Sequence, residues 1–323
     1  MGSNAVEVEK LQELAESGDA LAQTLLGAIY AKGIGGGKQD FESALKWYRR
    51  AADQGDVVAQ FNIGQMYYTG EGVIQDYREA FTWFRRAALH GNANAQLKMA
   101  NACFHGKGIE KNLKEAVEWY RMAADNGEEK AQFALAQILE KGNGVEADLQ
   151  EAAMRYRQAA AQGNLAAQLH YAKMLINGVG IPKNSVEAAK LLQLAAEKCC
   201  VEAWQLLGKL YAKGDGVEQD YRTAAKYYKN AAEYGDLNSQ LLLGSFFAKG
   251  LGFSQDLIQA HAWFNLAAAK GFAIGEISAV RCRDDLAESM TLQQIEMAQL
   301  LARDLQRQIT KNCNQMKTLS GKA

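Results

Sequence analysis

A chain of 323 residues with 36 Lys plus Arg against 37 Asp plus Glu, a formal net charge of −1, has no overall field to draw it onto nucleic acid. Its five cysteines, Cys103, Cys199, Cys200, Cys282 and Cys313, follow no period and cannot all pair, which argues against a disulfide framework. No apolar run approaches the roughly 20 residues that span a bilayer, so an integral membrane protein is not expected, and neither is a nucleic-acid partner.

The chain opens with Met1-Gly-Ser-Asn4, which reads as a start methionine with a non-native addition. Residues 5–17, with Leu11, Leu14 and Ala15 ahead of Gly18, read as the helix of a partial repeat. An array that opens in mid-unit implies a longer native chain whose targeting segment has been removed.

From Gly18 a period takes over. Closing glycines recur at Gly55, Gly91, Gly127, Gly163, Gly235 and Gly271, with Cys199 filling the place of the missing one. The spacing is 36 residues except for the first interval, where Gly33-Ile-Gly-Gly-Gly37 holds one extra residue. A unit this short cannot bury its own apolar face, so it must share a core with its neighbours as a stacked array. Seven units fit between residues 19 and 270.

Each unit reads as helix, loop, helix. The first helix carries Ala59, Gln60, Ile63, Gly64 and Tyr67, matched by Ala22, Gln23, Leu26, Gly27 and Tyr30. A glycine inside a helix costs about 1 kcal/mol relative to alanine, so Gly64 implies a close helix contact. Paired loop glycines such as Gly70 and Gly72 permit a tight reversal. None ends in the Gly-Lys-Ser/Thr of a phosphate loop, including Gly35-Gly-Gly-Lys-Gln39.

Asp76 is an N-cap with Glu79 three residues on, the pattern of a capping box. Asn112 with Glu115, Asp148 with Glu151, Asn184 with Glu187 and Asp256 with Gln259 repeat it, while Asp40 and Asp220 keep the cap alone. The second helix then places Ala80, Trp83, Phe84, Ala87 and Ala88 on one face. Recurrence of Trp47, Trp83, Trp119 and Trp263 at one repeat position marks core aromatics and not a cofactor box. The single proline, Pro182, falls in a loop.

The junction Lys198-Cys-Cys-Val-Glu-Ala203 is irregular, and Trp204 replaces the usual glutamine there. Vicinal cysteines without a partner motif are a poor redox signal. After Gly271 the period decays. Phe272 to Ala287 reads as a last first helix, and Thr291 to Ile309 as an amphipathic helix with Leu292, Ile295, Ala298, Leu301, Leu305 and Ile309 on one side. Residues 271–311 are thus a partial repeat and a helix that closes the core, and residues 312–323 a flexible basic tail.

Ala59-Gln60, Gly64, Tyr67, Gly70-Glu-Gly-Val73, Asp76, Ala80, Trp83-Phe84 and Ala87-Ala88 together resemble the Sel1-like repeat, a relative of the tetratricopeptide repeat. The ending, with His261-Ala-Trp-Phe-Asn-Leu-Ala267 and Met290-Thr-Leu-Gln-Gln294, is similar to bacterial members. The resemblance implies an all-α fold, a right-handed α/α superhelical solenoid of helix-turn-helix repeats. Sel1-like proteins are chiefly adaptors, and some bacterial members, such as the LpnE type, act between an intracellular bacterium and its host. It therefore suggests a non-enzymatic scaffold at a host–bacterium interface, LpnE-like in kind, exported or secreted.

By analogy with tetratricopeptide arrays the first helices line a concave face. Ten residues beyond successive closing glycines stand Gln65, Asn101 and Gln137, a carboxamide ladder suited to the backbone of an extended peptide. Phe61, Tyr68, Leu97, Phe104 and Phe133 would supply apolar pockets beside it, with His105 a further contact. Lys173, Lys209, Lys213 and Lys249 make the later part basic, which suits an acidic end of a protein or peptide ligand or, as the alternative, an anionic lipid or envelope glycan. His90, His105, His170 and His261 occupy different repeat positions, and metal-ligand and nucleophile-elbow motifs are absent from the sequence. No cofactor, metal or catalytic residue is expected.

Overall fold

The computed structural model describes residues 2–34, 38–274 and 277–320. Gly35 to Gly37, part of the expected one-residue insertion, and the tail residues 321–323 lie outside them. The architecture is all-α, an array of helical hairpins in tandem, and it divides into two compact units, Met1–Asn164 and Leu165–Ala323.

The first unit runs α1 (Gly2–Glu16), α2 (Ala20–Lys32), α3 (Phe41–Asp53), α4 (Val57–Thr69), α5 (Tyr77–Leu89), α6 (Ala93–His105), α7 (Leu113–Asp125), α8 (Glu129–Lys141) and α9 (Leu149–Ala161). Even-numbered helices are the first of each hairpin. Their starts are written by side chains: Asp19, Asp56 and Asn92 accept from the backbone of Ala22, Ala59 and Ala95. Second helices start the same way, with Asp76 accepting from Arg78 and Glu79. The reciprocal half of the expected capping box is not made there. Glu79 accepts instead from Trp83 Nε1 at 2.9 Å, one turn on, and Glu115 from Trp119 Nε1 at 3.3 Å.

In the first two hairpins a mid-helix glycine, Gly27 or Gly64, meets an aromatic ring, while Ala100 and Ala136 hold that place in the next two. A Cβ on Gly64 would stand 2.6 Å from the Phe84 ring, so that helix pair packs at backbone distance as the mid-helix glycine implied. Phe84, Tyr120 and Tyr156 are buried among alanines such as Ala87, Ala88, Ala123 and Ala124. The tryptophans are more mixed than expected. Trp119 is buried, whereas Trp47 and Trp83 are only half-buried, covered by the guanidinium groups of Arg50 and Arg86 at 4.7 and 4.6 Å.

The second unit contains α10 (Leu165–Asn177), α11 (Ser185–Glu197), α12 (Val201–Lys213), α13 (Tyr221–Glu233), α14 (Leu237–Lys249), α15 (Leu257–Ala268), α16 (Ala279–Ala287) and α17 (Leu292–Ser320). Phe272 to Ala287 is not one helix. A two-residue antiparallel hairpin, β1 (Ala273–Ile274) with β2 (Ile277–Ser278), pairs Ala273 with Ser278, and only the short α16 follows. Ala279 N–H donates to the Phe272 carbonyl across the base of this turn, at 3.0 Å.

Helix α17 packs on the second helices α13 and α15, burying Ala298, Ala302 and Ile309. Leu292, placed on its inner side from sequence, is 81% exposed. Residues 312–320 continue the helix and are not a loose tail: Asn312 Nδ2 donates to the Glu233 carbonyl at 2.9 Å, and Cys313 Sγ lies 3.4 Å from that of Tyr234. Once the apolar stripe meets a groove between two helices, further turns gain burial and end hydrogen bonds, which offsets their ordering cost.

Candidate partner-binding site

The exposed side of the first helices in the first unit holds a cleft of about 230 Å3 lined by Tyr68, Phe81, Lys98, Asn101, His105 and Lys107, with Ala102 at its floor. Tyr68, at the end of α4, meets the rings of Tyr77 and Phe81 edge-on at 5.3 and 6.1 Å. Two ammonium groups converge on its faces, Lys98 Nζ at 4.9 Å and Lys107 Nζ at 4.4 Å from the ring centre. Lys107 also lies 4.4 Å from the Tyr77 ring and donates to the Tyr68 hydroxyl at 2.8 Å. That hydrogen bond holds the Lys107 pKa above its ordinary value, so the ammonium stays charged at any physiological pH. No carboxylate lines this cleft. Two cations over aromatic faces with no internal counter-charge form a site for an anionic group beside an apolar one.

Three of the expected residues, Tyr68, Asn101 and His105, therefore come together, and Lys98, Lys107 and Phe81 join them unannounced. Counting one position per repeat looks down a single column. Lys107 reaches Tyr68 across 39 residues, from the next loop to the previous first helix, a pairing that no single column contains.

The carboxamide ladder is not three free amides. Asn101 Nδ2 donates to the Leu97 carbonyl at 2.9 Å, and its Oδ1 accepts from the Tyr120 hydroxyl at 2.8 Å. Burial pushes that phenol up to about 12, which keeps it a donor. Gln65 Oε1 is shut away from solvent, and Gln137 is half-buried. The flanking aromatics fill their own hairpins: Phe61 packs on Phe84 at 5.5 Å, Phe104 on Tyr120 at 6.3 Å and Phe133 on Tyr156 at 5.8 Å. Leu97 is likewise half-buried against the core, so these side chains shape the wall and do not offer open pockets.

The later basic face, in the second unit, is partly neutralised. Lys173 pairs with Glu202 at 2.6 Å, while Lys209, Lys213 and Lys249 are exposed. With Lys173 paired, the case for an anionic-lipid face there loses its first member. Among the described residues no helix is long and apolar enough to cross a membrane, and no group of three or more His, Cys, Asp or Glu side chains is placed to hold a metal ion.

Tandem helical hairpins of this kind define an all-α solenoid of repeats. The chain belongs to the Sel1 repeat family, whose description matches residues 20–56, 57–92, 93–128, 129–164, 165–198, 205–236 and 237–272. The break between 198 and 205 falls on the irregular Cys199–Trp204 junction. A Sel1 repeat protein from Oxalobacter formigenes is similar at 30% identity and a TM-score of 0.61, over 76% of this chain and 99% of that one. A protective antigen present in uropathogenic Escherichia coli strains, displaying an SLR fold, is similar at 25% identity and a TM-score of 0.59, over 97% of this chain and 82% of that one. A comparison with curated proteins gives no match. Sel1-repeat proteins generally act as protein-interaction scaffolds, and the fold is typically non-catalytic. The match identifies the family and no subtype within it, so the LpnE-like expectation stays one of resemblance.

Proposed function

We propose that the chain is a non-enzymatic scaffold that captures an extended, acidic segment of a partner protein in the Tyr68–Lys107 cleft. The carrying observation is the pair Lys98 and Lys107, both over the Tyr68 ring, in a cleft without a carboxylate of its own. A partner carboxylate would meet the two ammonium groups, and an adjacent apolar side chain would rest on Tyr68 and Phe81. In this reading residues 5–17 and 19–270 form the array and 271–311 its closing segment. The setting we favour is a host–bacterium interface, as the likeness to an antigen of uropathogenic bacteria suggests.

Selection of random peptides displayed on phage tests this reading. Sequences enriched in Asp and Glu next to an aromatic or aliphatic residue are expected, with binding reduced about tenfold or more by Lys98→Gln with Lys107→Gln. Enrichment without acidic residues, or binding indifferent to both substitutions, would remove the basis of the proposal.

A further inference from the structure

Three arginines at one repeat position, Arg49, Arg85 and Arg121, meet three different fates. Arg49 Nη2 donates to the Tyr67 hydroxyl at 2.9 Å. Arg121 grips both oxygens of Glu151, through Nε at 3.0 Å and Nη2 at 2.6 Å. Arg85 has neither partner. Cys103 stands in its repeat where Tyr67 stands in the one before, and a thiol on that buried site cannot replace a phenol. Glu115 stands where Glu151 does in the next repeat, but Trp119 Nε1 and the Asn112 amide hold it, at 3.3 and 3.5 Å. The exchange of Trp119 for Arg155 one repeat later is what frees Glu151, which then serves Arg121 and Arg155 together.

Arg85 is thus left without a side-chain hydrogen bond or ion pair among the described residues. It lines an open groove of about 720 Å3 with Arg78, two turns earlier on α5, and Lys111 from the loop between α6 and α7. Phe81 is the one residue this lining shares with that of the Tyr68 cleft, and the cations of the two linings are entirely different. Glu110 and the engaged Glu115 also border the groove.

We propose that this groove is a second docking site for an acidic segment of a protein partner, in which a partner carboxylate takes on Arg85 the place that Glu151 takes on Arg121. The chain itself shows what this position accepts: a carboxylate, gripped by two parallel N–H donors of one guanidinium. Arg78 and Lys111 extend the attraction to neighbouring acidic residues, and a groove of about 720 Å3 has room for several residues of a polypeptide. The inference rests on the scaffold reading but uses none of the residues that carry it.

The test uses the full chain with Lys98→Gln and Lys107→Gln, so that the first cleft is silent, and a fluorescein-labelled hexaglutamate peptide read by fluorescence anisotropy. Binding should persist in this background and fall about tenfold with Arg85→Gln, at unchanged helical circular dichroism. Arg85→Lys should fall several-fold too, since an ammonium keeps the charge and loses the fork. Glu110→Gln should strengthen binding about twofold by removing a like charge. An Arg85→Gln chain that binds within twofold of its parent, or an Arg85→Lys chain that binds fully, overturns the proposal. So does preference for phosphatidylserine vesicles over the peptide. Loss of all binding with the two lysine substitutions alone sinks the groove and leaves the first cleft standing. No binding by the unsubstituted chain sinks both.

Discussion

Gln60 is a buried glutamine whose amide oxygen goes unanswered. Its counterparts Gln23, Gln96 and Gln132 each donate to a carbonyl eight residues back, on Ala15, Ala88 and Ala124. Each also accepts, at 2.9 Å, from an amide at the end of the next second helix, on Gln54, Asn126 and Gln162 respectively. For Gln60 that place belongs to His90, whose Nδ1 is turned to the Arg86 carbonyl at 2.8 Å, and Gln60 Oε1 has no partner. A buried acceptor left unmet costs about 1–3 kcal/mol. His90→Gln should therefore stabilise the protein by about 1 kcal/mol in chemical denaturation, and an unchanged midpoint would show that Gln60 is satisfied in another way. Cys199 offers a second local repair. It has φ 57°, the left-handed conformation that glycine holds at the other closing positions, and it is the one non-glycine residue with positive φ among those described. Side chains pay roughly 1–2 kcal/mol there, so Cys199→Gly should raise the midpoint by about 1 kcal/mol.

Among the elements, helices with a period and a cap were readable from residues alone, and those without one were not. Asp76, Asn112, Asp148 and Asp256 announce their helices because a cap needs only residues within one turn. The β1–β2 hairpin left no such mark: two-residue strands show no alternation, and the repeat pattern carried an expected helix straight through Phe272–Ser278. The buried amide pairs of Gln23, Gln96 and Gln132 were hidden for another reason. Their donors are Gln or Asn at a helix end about thirty residues from the acceptor, so identity varies while geometry persists. The Tyr68–Lys107 cleft was half read, through Tyr68, Asn101 and His105, because its cations lie in other columns of the repeat.

Helix α15 adds a pH dependence that follows from one of its elements' contacts. His261 on α15 is 4% exposed, with Nδ1 unpartnered, and burial lowers its pKa below the ordinary 6.5, with Arg283 of α16 lowering it further and Asp284 opposing. A histidine held neutral in the fold binds a proton more readily when unfolded. Its contribution is therefore full above pH 6.5 and declines as the pH falls from there towards the folded pKa. Thermal unfolding of the protein should show a midpoint that drops as the pH falls below 6.5, the ordinary histidine value, and His261→Gln should flatten that slope. An equal slope in both chains would assign the acid sensitivity to other groups.

At the scale of the whole molecule, a stacked array is held together by neighbours, so its last hairpin depends on whatever covers it. In the second unit that cover is α17. Its Ala302 and Ile309, with Leu301 and Leu305, pack against Tyr228, Trp263 and Leu266, and Asn312 and Cys313 meet carbonyls at the end of α13. Four such apolar contacts, at roughly 1.5–3 kcal/mol for each fully buried side chain and less for the half-buried ones, amount to about 5 kcal/mol, a large part of the stability of a domain. A chain ended at Met290 should lose that amount, and nearest-neighbour coupling fixes where the loss appears. Amide hydrogen exchange should accelerate most in α13 and α15, which α17 touches, and progressively less from α12 back to α10. Equal acceleration throughout α10 to α15 would mean that the second unit opens as one cooperative block. Unchanged exchange in α13 and α15 would mean that α17 contributes little to the repeats beneath it.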